Sequence, residues 1–237
     1  MVKTLVFIHG WASSPAIWQG QIEYFSKNYE VISPDISAAK DIREAAGSVN
    51  NSLKDKKDFI LIGWSLGWLV ILELLKNFNI SPQGLVAVNS TPKLIDDGYL
   101  GLGLSKTHLA KMIRDCKRNP KKTFEDFYKN TFSDIGKTML KGVKLKNSDY
   151  EKLIYGLYIL RDGDYRDFLK AIDIPTLLIT GTRDSICPKE ASTYMHKMIE
   201  GAQLKVLDSG HIPFIEKDEE FNGLVEDFIK GLLPKSG

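Results

Sequence analysis

The sequence is short of cysteine, of long apolar runs and of net charge, and each shortage removes a class of protein. Two cysteines, Cys116 and Cys187, stand far apart among 237 residues. Two such thiols make no disulfide framework and fit a reducing compartment. No apolar run approaches the roughly 20 residues that cross a bilayer. The apolar start at Leu5-Val6-Phe7-Ile8 is too short for a secretion signal, and it runs into His9-Gly10-Trp11 rather than a small-residue cleavage site. A cytoplasmic protein with no membrane association is the expectation. A net charge of +2 gives no general attraction to nucleic acid. There is no phosphate-loop pattern, no paired-cysteine zinc spacing and no H-E-x-x-H, so neither cofactor nor metal is expected. Gly98, Gly101 and Gly103 follow no strand and read as a flexible hinge.

What is present is the pattern of one soluble α/β domain. Short apolar runs rich in β-branched residues predict buried parallel strands at 4–9, 29–33, 58–63, 84–89, 176–180 and 203–207. Helical spacing predicts helices at 15–28, 66–78, 189–200 and 216–233. This alternation predicts a doubly wound, mostly parallel sheet. Residues 93–170 break it. That segment is polar, basic and helix-like, with aromatics such as Phe124, Phe127 and Tyr128 and no convincing strand. Residues 1–92 and 171–237 therefore form the expected core, and 93–170 a helical insertion.

Gly63-Trp64-Ser65-Leu66-Gly67 fits G-x-S-x-G and lies between a predicted strand and a predicted helix. At such a turn the serine is strained and raised above the sheet, with small neighbours admitting close chain passage. The next backbone N–H, that of Leu66, points at a developing oxyanion. The alternative role for Ser65 is a plain N-cap of the helix from Leu66. A serine nucleophile needs a base, and the base an orienting acid, in the chain order serine, acid, histidine. His211, in the turn after the last predicted strand, is the candidate base. His108 and His196 fall on segments read as solvated. Asp184, after the strand at 176–180, is the candidate acid, with helix capping as its alternative role and Asp208 as a weaker competitor. Arg183 beside it reads as solvated. The Trp11 N–H, after the first strand, is the candidate second oxyanion donor. The Trp11 ring could wall an acyl pocket, Trp18 reads as core, and His9 as a support for the loop.

Val6 to Trp11, Leu61 to Gly67, Thr180 to Asp184 with Pro188, and Ser209 to Ile215 resemble the α/β-hydrolase family across nearly the whole chain outside the insertion. His9-Gly10-Trp11, the serine pentapeptide and His211-Ile212-Pro213-Phe214-Ile215 resemble, more narrowly, its pimeloyl-[acyl-carrier protein] methyl ester esterases. The resemblance implies Ser65, Asp184 and His211 as triad and Trp11 and Leu66 as oxyanion amides. It implies Trp11 and Phe127 as acyl contacts, and a helical lid whose Arg114, Lys117, Arg118, Lys121 and Lys122 meet an acidic acyl-carrier protein. A solvated charge run is the plainer reading of those five. Three departures stand out. The chain starts near the third strand of the usual fold, implying an N-terminally shortened sheet. Ile36-Ser37-Ala38-Ala39-Lys40 replaces the family's glycine-rich loop after Pro34-Asp35. Trp68 replaces the second glycine of the usual G-x-S-x-G-G and must find room against the sheet. The expected function is a monomeric serine carboxylesterase, which the resemblance directs to the methyl ester of pimeloyl-[acyl-carrier protein] in biotin synthesis. A broad short-chain esterase and a non-catalytic hydrolase-fold binding module stay open beside it.

Overall fold

A computed structural model describes residues 2–96, 98, 103–131 and 147–232. Six strands form one parallel sheet: β1 (Thr4–Ile8), β2 (Glu30–Ile32), β3 (Phe59–Trp64), β4 (Gly84–Val88), β7 (Thr176–Gly181) and β8 (Gln203–Leu207). Their spatial order is β2-β1-β3-β4-β7-β8. Every residue of β1, β3, β4 and β7 is buried, so the central strands are continuous apolar runs rather than alternating ones. β2 and β8 lie at the edges and are partly exposed.

From β1 the chain turns outward to β2 and then crosses to β3 on the other flank. β1 and β3 are thus neighbours at the point where the winding reverses, with Ile8 opposite Gly63. The crevice beyond the carboxyl ends of two such strands is the natural site of an open α/β sheet.

Helices cover the sheet: α1 (Gln19–Phe25), α2 (Ile42–Ser52), α3 (Leu66–Asn77), α7 (Lys189–Met198), α8 (Pro213–Glu216) and α9 (Asp218–Gly231). The helix expected at 15–28 begins as a 3-10 turn, Pro15–Trp18, in which Pro15 lacks a donor. Trp18 is fully buried, 5.0 Å from Phe7 and 4.1 Å from Phe214 between ring centres. The helix expected at 216–233 is two, broken at Lys217, whose φ of −143° and ψ of 49° are not helical. Helix α2 was not expected. Asp41 caps it by accepting from the Glu44 N–H at 2.8 Å, while Glu44 accepts from the Lys40 N–H at 2.8 Å. That near-capping-box spelling was its signal in the sequence.

The insertion carries α4 (Lys106–Arg118), α5 (Pro120–Thr131) and α6 (Asn147–Asp162), which pack on one another. The expectation of a strand-free insertion is corrected by a two-residue parallel ladder between β5 (Ile95–Asp96) and β6 (Leu104–Ser105). Gly103, just before this ladder, is closely packed rather than free as a hinge, because a Cβ there would meet the Leu94 carbonyl oxygen at 2.0 Å. Gly98 has φ +85°, and Gly101 lies outside the described residues. The two ends of the insertion are joined. Lys93 pairs with Asp164 at 3.0 Å, and the Tyr165 N–H donates to Pro92 at 2.9 Å. Among the described residues no helix is long and apolar enough to cross a membrane.

Candidate active site

Ser65 sits between β3 and α3 with φ 54° and ψ −117°, and its hydroxyl does not cap the helix. That geometry separates it from an ordinary N-cap, which has extended backbone and a bonded side chain. The flanking glycines are set by close approach. A Cβ on Gly63 would lie 2.7 Å from the Gly67 carbonyl carbon, and one on Gly67 would lie 2.3 Å from the Ile8 oxygen. The Ser65 N–H donates to Val88, and Ser90 Oγ donates to the Ser65 carbonyl at 2.8 Å, so β4 and its loop hold the turn.

The structure brings Asp184 and His211 together from the ends of β7 and β8. His211 Nδ1 and Asp184 Oδ2 are 2.7 Å apart, with both side chains buried. The other carboxylate oxygen accepts from the Ile186 and Cys187 N–H groups at 2.8 and 3.0 Å. With both oxygens engaged, the carboxylate is fixed and the imidazole carries its proton on Nδ1. Asp208, the competitor, lies elsewhere. It is exposed, pairs with Arg183, and accepts from Thr182 at 3.2 Å, because it leaves β8 on the solvent side. Arg183 is therefore ion-paired rather than merely solvated. His108 and His196 are exposed on α4 and α7.

Several supporting groups escaped the sequence reading. Asn89, with φ 40°, accepts from the Gly181 N–H at 2.7 Å and donates to the Gly210 carbonyl at 2.6 Å, tying the Asp184 and His211 loops together. Trp64 Nε1 donates to the His211 carbonyl at 2.8 Å. Glu216 accepts from the Gly210 N–H at 3.0 Å. A polar residue at a strand end was the only hint for Asn89. Trp68 is fully buried in α3, and its indole N–H has no acceptor among the described residues.

Gly10 places the loop after β1 against Ser65. A Cβ there would lie 3.2 Å from Ser65 Cβ. His9 is buried, its Nδ1 is 2.9 Å from the Gly10 carbonyl, and its Nε2 accepts from the Ile36 N–H at 3.1 Å. The Trp11 and Leu66 N–H groups have no acceptor among the described residues. A cavity of about 20 Å³ above Ser65 is lined by His211, Trp11, Phe127, Met112 and Ile186 among others. Trp11 and Phe127 meet edge-on at 4.7 Å. Next to it, between α4, α5 and the turn after Asp184, runs a groove of about 410 Å³. Leu104, Met112, Phe127 and Ile186 line both spaces.

Cys187 lies beside the pair, with Asp184, Cys187 and His211 each offering a metal-ligand atom within 4.8 Å of the others. Burial, and then the Asp184 charge, push the Cys187 thiol well above its ordinary range against a hydrogen bond with Ser65. A protonated thiol is a poor ligand, and Asp184 and His211 Nδ1 are bonded to each other. Cys116 is also a free, buried thiol. Arg114, Lys117, Arg118, Lys121 and Lys122 are exposed on α4 and α5. Lys122 pairs with Asp126 at 2.9 Å, Lys117 lies over the Tyr158 ring, and Arg118 and Lys121 make no ion pair among the described residues.

Known proteins share both the sequence pattern and the architecture. Pimeloyl-[acyl-carrier protein] methyl ester esterase of Legionella pneumophila (strain Corby) is 28% identical over 244 residues, covering 95% of each chain. The protein of that description from Wigglesworthia glossinidia brevipalpis is 29% identical over 95% of this chain and 93% of its own. An esterase from Exiguobacterium antarcticum superposes with a TM-score of 0.85 at 23% identity, over 96% of this chain and 92% of that one. An enol-lactonase from Burkholderia xenovorans LB400 gives 0.84 at 18% identity, over 97% and 92%. The sequence profile of the Alpha/beta hydrolase family matches residues 5–224, and the chain belongs to that family.

Proposed function

We propose that the protein is a serine carboxylesterase acting on the methyl ester of a pimeloyl group held on acyl-carrier protein. The observation that carries the esterase reading is the buried 2.7 Å Asp184–His211 pair, whose His211 lines one cavity with a serine in a strained turn. His211, protonated on Nδ1 by its bond to Asp184, uses Nε2 as base and takes the Ser65 proton as Oγ attacks the ester carbonyl. The Trp11 and Leu66 N–H groups receive the oxyanion. His211 returns the proton to the departing methoxide, which leaves as methanol. Water then attacks the acyl-enzyme, giving its proton to His211. Collapse frees the carboxylic acid and restores Ser65. No cofactor enters these steps.

The substrate assignment rests on the relatives' printed activity and on two features of the chain. Exposed Arg114, Lys117, Arg118, Lys121 and Lys122 give α4 and α5 a cationic face that attracts an anionic carrier. The groove beside that face adjoins the Ser65 cavity and offers an acyl chain a route. The smallness of that cavity favours a second reading, a short-chain carboxylesterase.

Comparing methyl pimeloyl-carrier with p-nitrophenyl butyrate separates the two. The carrier reading expects kcat/KM for the carrier-bound ester to fall at least about tenfold when Lys117, Arg118 and Lys121 are all changed to Glu, and to fall with added salt. Hydrolysis of the small ester changes far less. Equal response of both substrates, or none, leaves the short-chain reading.

A further inference from the structure

The turn at residues 10–12, which carries the Trp11 N–H, is gripped from both sides of the molecule. From the core, His9 holds the Gly10 carbonyl. From the insertion, Tyr128 on α5 donates its hydroxyl to the Ala12 carbonyl at 2.7 Å, and the Leu153 carbonyl of α6 accepts from the Trp11 indole at 2.8 Å. Both bonds are buried. Ala12 has φ 57°, a left-handed conformation that a residue with a Cβ keeps only when its surroundings enforce it. One turn further along α6, Gly156 makes room for the Trp11 ring. A Cβ there would lie 2.5 Å from Trp11 Cδ1. Two of the three groups that fix this turn therefore belong to the insertion, which the steps above use only as a wall.

We propose that Tyr128 and the Leu153–Gly156 stretch of α6 are positioning residues of the oxyanion hole, so that the donor is complete only while the insertion is seated. The proposal rests on the esterase reading and on Trp11 as an oxyanion donor. The Tyr128 bond fixes the carbonyl one residue beyond the donor, and the Leu153 bond fixes the donor residue's own ring. Losing either lets the Gly10–Trp11 peptide rotate. A donor a few tenths of an ångström out of place stabilises the oxyanion less, while the bound ester is little affected. The insertion thereby couples access to Ser65 with competence of the site. A substrate that seats it is hydrolysed, and one that holds it open is bound but turned over slowly.

The test compares the full-length protein with its Tyr128→Phe and Gly156→Ala variants on p-nitrophenyl butyrate, together with inhibition by a linear alkyl trifluoromethyl ketone. That ketone adds Ser65 to form a hemiketal whose oxyanion occupies the hole, so its Ki reports the donors directly. Tyr128→Phe is expected to lower kcat about tenfold, part of the loss from removing a whole donor. KM should stay within about twofold, and the ketone's Ki should rise by the same factor as kcat falls. Gly156→Ala, which pushes on the Trp11 ring and leaves Tyr128 intact, should give the same signature. It also decides the matter if thermal melting shows Tyr128→Phe to be unfolded. A rise in KM at constant kcat in both variants, or unchanged kcat and Ki, overturns the proposal and leaves the esterase reading standing. A wild-type protein that hydrolyses no ester and binds no ketone overturns that reading, and this proposal with it.

Discussion

Ser65 holds a backbone conformation that costs of order 1–3 kcal/mol, and close packing at the neighbouring glycines is what sustains it. Gly67→Ala should therefore be strongly destabilising, by about 1–3 kcal/mol or more, because its Cβ would strike the immobile Ile8 backbone. Thermal or urea unfolding measures this, and a loss under about half a kcal/mol would show that the turn can relax. Asp184→Asn tests a different point. An Asn oxygen can still accept the Ile186 and Cys187 N–H groups, so the loop should survive. Its amide would instead meet His211 Nδ1 as a donor and favour the wrong tautomer, lowering kcat by roughly 10⁴-fold with an unchanged melting curve. The residues paired in this way were legible because each follows its own strand and the family orders them. Asn89, Trp64 and Glu216 were not. The Asn89 and Trp64 hydrogen bonds join loops 90 or more residues apart, and the Glu216 bond reaches back six residues to Gly210 across a turn that has no periodicity, so no local pattern encodes them.

At the scale of elements, the insertion is fastened at its two ends, where Lys93 and Arg166 both reach Asp164. Burial alone would raise the Asp164 carboxyl. Hydrogen bonds from Arg166 and then Lys93 outweigh it and hold the group down to about 2, against an ordinary 3.8. A carboxylate depressed in the folded state contributes stability above its unfolded value, and that contribution is lost as pH falls through the folded value. The melting temperature of the wild type should therefore exceed that of Asp164→Asn at pH 6, with the gap closing between about pH 4 and pH 2. A pH-independent gap would assign the effect to packing. The strands and the site-bearing turns were readable here, since parallel strands buried on both faces leave unbroken apolar runs. The short β5–β6 ladder was not, because two residues carry no periodicity. The break at Lys217 was hidden because an amphipathic pattern runs through it.

For the whole molecule, the reversal of winding between β1 and β3 is what makes the site possible. It sets the Trp11 loop beside Ser65 at the carboxyl edge, while β7 and β8 extend that edge to deliver Asp184 and His211. A chain with a net charge of +2 nevertheless presents several of its cations on α4 and α5, so steering toward an anionic partner would be local. All of this depends on Ser65 being an activated nucleophile. The most direct measurement is labelling of the full-length protein with a fluorophosphonate, followed by mass mapping of the adduct. The expected result is one adduct, on Ser65, absent from Ser65→Ala and formed about 10³-fold more slowly in His211→Ala. A folded wild-type protein that stays unlabelled, or that is labelled at another residue, would contradict it.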